Sequence, residues 1–154
     1  MAVNFFEEGI NAQLRQRRRI KRWLHAIAAA KGYRIDSLNY VFCTDDYLHQ
    51  INLNYLKHDT YTDIVTFDQS EQDRTIEGDV FISVDRVREN AKQEGETYPA
   101  ELLRVIAHGL LHLCGYKDKS PSEKHRMRKE EDQAVAHYSK ITVPRGTPKD
   151  QNLI

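Results

Sequence analysis

Apolar residues fall at Leu102, Leu103, Ile106, Leu110 and Leu113, and two histidines, His108 and His112, stand four positions apart inside the same run. The spacing predicts a helix that begins near Pro99, which a first helical turn tolerates, and stops at Gly115. Its apolar positions spread over a broad arc, so the helix is expected to be mostly buried and the rest of the chain must fold around it. Four residues make about one helical turn, so both imidazoles project from one face. A left-handed Gly115 would end the helix and turn the chain back, bringing Asp118 toward the two rings from a third direction.

The remaining pattern supplies a sheet to hold that helix. Strands are expected at 3–6, 38–43, 63–67 and 78–84, and helices at 12–31, 45–56, 85–95 and 122–138, with Asp85 as a cap and Gly32 as a stop. The third and fourth strands are close enough to form an antiparallel hairpin across the polar turn 69–74. This order argues for an α+β fold with a small sheet covered by helices. A chain of 154 residues favours one domain, expected over 1–140. Residues 141–154, with Pro144, Gly146 and Pro148, lack periodicity and read as a loose tail.

Composition excludes several classes. With 30% charged residues, the chain has no apolar run near the ~20 residues that span a membrane. Its start lacks the basic head and apolar stretch of a secretory signal, so a cytoplasmic location is expected. Cys43 and Cys114 are too few for a disulfide framework and read as reduced packing residues. Lys plus Arg and Asp plus Glu number 23 each, giving a formal net charge of zero. Any attraction to nucleic acid must therefore be local.

Two imidazole nitrogens and a carboxylate suit zinc at roughly 2.0 to 2.2 Å, and three protein ligands leave a fourth position open, as in catalytic sites. Such an ion brings the pKa of a bound water to about 7 and polarises a phosphoryl or carbonyl oxygen. One Zn2+ per chain is expected on His108, His112 and Asp118, with iron, manganese or nickel as alternatives. The spacing H-x-x-x-H-x-x-G-x-x-[H/D] matches the metal framework of metzincin proteases, but Gly109 stands where those enzymes carry their glutamate base.

His108, Gly109, Leu111, His112, Leu113, Gly115 and Tyr116 resemble the signature H-G-x-L-H-L-x-G-Y-D-H of the YbeY endoribonucleases, zinc-dependent factors in ribosomal RNA maturation. Lys117 stands where that family usually has Asp, and Asp118 where it usually has a third histidine. Upstream, Asn52 to Tyr55, Asp59 and Thr62 to Phe67 are similar to the segment N-x-x-Y-R-x-x-D-x-x-T-D-V-L-S-F, and Gly78-Asp79-Val80 to its G-D-I strand. The resemblance implies a mostly four-stranded mixed sheet with a zincin-like metal helix. It also implies single-strand-specific cleavage in small-subunit 16S rRNA processing and ribosome quality control, with the small subunit or assembly factors as partners.

The family's arginine falls on Leu56. Lys57 is therefore the expected catalytic cation and an RNA contact, acting as a point charge and not a bidentate fork. Lys117, Lys119 and Arg126, next to the expected metal, are the further expected RNA contacts. A second basic group, from Arg15 to Arg22, reads equally as a solvated face. Asp63 and Asp79 are expected to bond local backbone and His125 to lie on the surface; Tyr61 and Tyr116 pack, or stack on unpaired bases. The rival functions are a zinc metallopeptidase and a noncatalytic, zinc-stabilised ribosome-assembly factor. Attack by water and attack by an internal 2′-hydroxyl both stay open.

Overall fold

Strand alternation sorts the sheet's two faces in the computed structural model, which describes residues 2–143. Strands β1 (Ala2–Glu8), β2 (Arg34–Cys43), β3 (Ile64–Asp68) and β4 (Thr75–Ser83) lie in the order β1-β2-β4-β3. β1 and β4 run parallel to β2, while β3 closes the expected antiparallel hairpin with β4. The result is the expected α+β fold with a four-stranded mixed sheet. Leu38, Tyr40 and Phe42 of β2 and Val80 and Ile82 of β4 share the main core with helices α1 (Arg17–Ala30) and α4 (Tyr98–Leu113). On the opposite face, Cys43, Val65, Phe67 and Phe81 pack with Leu48 and Ile51 of helix α2 (Asp45–Ile51).

Two buried polar bonds tie these layers together. The Tyr40 hydroxyl donates to the carbonyl of Ile106 at 2.8 Å, fixing the sheet to α4. The Trp23 indole donates to the carbonyl of Ala134 at 2.8 Å, fixing α1 to the last helix, α5 (Pro121–Tyr138). The start of α5 is secured by a capping box in which Ser120 and Glu123 satisfy each other's backbone N–H groups.

Several boundaries differ from the sequence pattern. Residues 12–16 are not helical: Gln13 and Gln16 take positive φ values of 53° and 56°, and Ala12 and Leu14 are buried from an irregular loop. Burial in a loop imitates helical spacing there. Ser83, not Asp85, caps helix α3 (Val84–Glu94), because the helix begins directly after β4; Asp85 instead accepts from the backbone N–H of Asp45 at 2.8 Å. The expected helix 45–56 changes to a π-helical turn over Asn52–Leu56 and ends at a left-handed Lys57, φ 60°. Asn52 stabilises that turn by donating to the carbonyl of Thr60 at 2.9 Å. Ile141, the first residue of the expected tail, packs against the core, and 144–154 lie outside the described residues. Among the described residues no helix is long and apolar enough to cross a membrane.

Candidate metal centre

Helix α4 delivers both histidines, and the way it ends delivers the acid. Gly115, at φ 96°, lets its own N–H reach the carbonyl of His112 at 2.9 Å and lets the N–H of Tyr116 reach that of Leu111 at 3.0 Å. This is the paired bond pattern of a Schellman turn. It reverses the chain so that one carboxylate oxygen of Asp118 stands 3.3 Å from Nε2 of His108 and 3.3 Å from Nε2 of His112. The expected convergence of His108, His112 and Asp118 is thus present, with all three donor atoms within 4.8 Å of one another.

Each imidazole is also held from behind. Nδ1 of His108 bonds the Glu131 carboxylate, and Nδ1 of His112 bonds the carbonyl of Tyr116 at 2.9 Å. An acceptor at Nδ1 places the ring proton there and leaves the Nε2 lone pair facing the Asp118 oxygen. Glu131 is itself fixed by Arg104, whose guanidinium donates to it at 3.1 Å. The donor set fits a zinc-like ion: atoms bound to a tetrahedral centre at about 2.0 to 2.1 Å lie about 3.3 Å apart. The observed 3.3 Å separations match that value.

The three side chains border an open cleft of about 440 Å³ whose other wall is Thr62, Asp63, Ile64 and Thr66. Burial alone would lower the His108 pKa, but the hydrogen bond and charge of Glu131, with Asp118 and Asp63, outweigh it and hold the ring above its ordinary value. A metal must therefore displace a proton from a ring that keeps it readily. Burial also raises the carboxyl of Asp63, against the attraction of His108. Asp63 thus lines the cleft while keeping the expected bond to local backbone, at its own residue. Asp79 keeps a structural place, accepting from Asn39 at 3.0 Å.

Gly109 explains why this helix carries no peptidase base. A Cβ there would meet Val80 Cγ1 at 2.8 Å and Ile64 Cδ1 at 3.1 Å, so the position faces the sheet and has no room for a side chain. Lys57 is exposed beyond the π turn, on the segment leading to Thr62, and is not part of the cleft wall. Lys117 and Lys119 are exposed on either side of Asp118, and Arg126 bonds Glu130 at 3.4 Å. His125 is exposed, as expected. Tyr61 stacks on His49 at 4.0 Å between centroids. From the basic group Arg15 to Arg22, Arg19 donates to the carbonyl of Tyr138 at 3.0 Å.

Glu131 was hidden among charges. The signal lay in the phase of α5: Met127, Glu130, Glu131 and Ala134 are buried, and their i, i+3, i+4, i+7 spacing is that of a core-facing stripe. Two acids on an inward stripe need partners.

A buried helix and the turn after it, presenting a three-ligand group able to hold a divalent metal at the edge of a mixed sheet, define an α+β domain with a candidate one-ion centre. The chain belongs to the endoribonuclease YbeY family, whose model, described as "Endoribonuclease YbeY", matches residues 3–139. Among relatives of that name, the Cytophaga hutchinsonii protein is 54% identical over 134 residues, covering 87% of this chain and 94% of that protein. The Bacteroides thetaiotaomicron protein is 45% identical over 136 residues, covering 88% and 98%. The fold is similar to a solution structure from Thermotoga maritima, with a TM-score of 0.62 and 23% identity, covering 96% of this chain and 98% of that one.

Proposed function

We propose that this chain is a zinc-dependent, single-strand-specific endoribonuclease of the cytoplasm. It acts in 16S rRNA processing and ribosome quality control, with the precursor RNA, the small subunit or its assembly factors as partners. The observation that carries the reading is the meeting of two imidazole nitrogens and a carboxylate oxygen at 3.3 Å, in a chain whose family relatives bear the name endoribonuclease.

His108, His112 and Asp118 hold the ion, and Glu131 and the Tyr116 carbonyl orient the rings. Bound zinc supplies a water of lowered pKa and polarises a phosphoryl oxygen. Asp63, facing the ligands across the cleft with a raised pKa, accepts or returns a proton at its carboxylate. Lys57 neutralises negative charge developing on the phosphate. Lys57, Lys117, Lys119 and Arg126 hold the RNA chain.

The test is cleavage of a single-stranded RNA matched to the 16S precursor, with metal content measured in the same samples. His112→Ala should lose bound zinc and cut at least about 100-fold more slowly, as expected for loss of a ligand. Undiminished cleavage by His112→Ala would overturn the reading. A 2′,3′-cyclic phosphate with a 5′-hydroxyl marks attack by the 2′-hydroxyl, and a 5′-phosphate with a 3′-hydroxyl marks attack by water.

A further inference from the structure

Behind the Schellman turn lies a second, larger cavity of about 610 Å³. Three elements that are distant in sequence meet there: the end of α1 with Lys31 and Tyr33, the β3–β4 turn with Arg74, and the α4–α5 segment with Tyr116, Lys117 and Arg126. Four cations line it against one acid, Glu123, and that carboxylate is already committed to the backbone N–H groups of Ser120 and Lys119. Glu130, outside the wall, pairs with both Lys31 and Arg126. Counting it, four positive groups still face two negative ones, in a chain whose formal net charge is zero.

The cations are also placed in advance. Lys31 and Arg126 stand 5.4 Å and 5.5 Å from the centre of the Tyr116 ring, and Arg74 stands 5.2 Å from that of Tyr33. Such contacts hold cationic heads over the cavity at low entropic cost. Tyr116 joins this cavity to the candidate centre, since its carbonyl holds His112 while its ring forms the wall.

The geometry points to this cavity as the groove that grips the phosphate backbone of the RNA strand beside the cleavage position, with Lys31 and Arg74 as contacts in addition to Lys117 and Arg126. The inference rests on the endoribonuclease reading for its ligand. Its chemistry is phosphate recognition by clustered cations, which is distinct from the chemistry of cutting.

The experiment measures fluorescence anisotropy of a 2′-O-methyl single-stranded RNA of about 12 nucleotides, which is closed to 2′-hydroxyl attack and is checked on a gel for cutting by water, with the zinc-loaded full chain across a salt titration. Arg74→Ala combined with Lys117→Ala should weaken binding about tenfold and lower the slope of log K against log salt by about 1.4, the value for two phosphate contacts to a single strand. Lys92→Ala, the loss of one positive charge on α3 away from the cavity, should leave both unchanged. An unaltered slope in the double variant, an equal loss in Lys92→Ala, or displacement of the RNA by polyglutamate at equal charge would each overturn the groove. The cleavage assay separates the two readings: weakened binding without any zinc-dependent cutting keeps the groove and removes the nuclease. Normal cutting with unaltered binding does the reverse.

Discussion

Glu131 is buried, which a carboxylate tolerates only with strong partners, and its two oxygens are divided between Arg104 and Nδ1 of His108. Glu131→Gln keeps the volume and removes the charge behind the imidazole. Zinc affinity, read by competition with a chromophoric chelator, is expected to fall about 10- to 100-fold, the usual consequence of losing a partner behind a ligand. An unchanged affinity would mean that Glu131 serves only to tie α5 to α4. The contrast with Asp118 is instructive. Asp118 was legible because it follows two histidines at a ligand spacing, whereas Glu131 comes from another helix, and no local spacing relates it to His108. Lys57 was legible as a cation near a missing arginine, but its place outside the cleft wall depended on a π turn that the apolar pattern did not reveal.

At the scale of elements, α4 shows how one helix serves packing and site at once. Its middle is closed to side chains at Gly109, its C-terminal turn aims Asp118, and its first turn buries Glu101. Burial pushes the Glu101 carboxyl up to about 7, with Glu94 adding to the effect and Arg104 and Arg128 opposing it. In the unfolded chain the group titrates near its ordinary value of 4.5. Between those values the folded chain keeps a proton that the unfolded chain has lost, so the stability from this group is full below about 4.5 and declines as pH rises toward about 7. Glu101→Gln removes that titration. The melting temperature of the variant relative to the parent should therefore be higher at pH 8 than at pH 4.5, as followed by circular dichroism; parallel curves would refute the assignment. The bounds of α4 were legible from Pro99, the apolar spacing and Gly115. The start of α1 was not, because Ala12 and Leu14 find their burial in a loop.

Across the whole molecule, the candidate centre joins α4 to the turn after it, and Glu131 adds α5. An ion that binds this arrangement and not the unfolded chain must stabilise the fold. At a zinc concentration of 100 times Kd the gain is about 2.7 kcal/mol, or a rise of about 5 to 10 °C in Tm for a chain of this size. Asp118→Ala, which removes a partly exposed side chain outside the core, should abolish most of that rise while leaving the metal-free Tm nearly unchanged. An equal rise in parent and variant would place zinc elsewhere on the chain.

Periodicity and turn chemistry are written in neighbouring residues, so the sequence alone determined the α+β class, the buried histidine helix, its glycine end and the three expected ligands. Contacts between residues distant in the chain have no such record. Tertiary structure alone decided that β4 pairs with β2 as well as β3, that Glu131 and not solvent holds His108, that Asp63 faces the ligands, and that Lys31 and Arg74 share a cavity with Lys117. Each depends on how helices and sheet settle against one another, and that is set by shape and burial across the whole core.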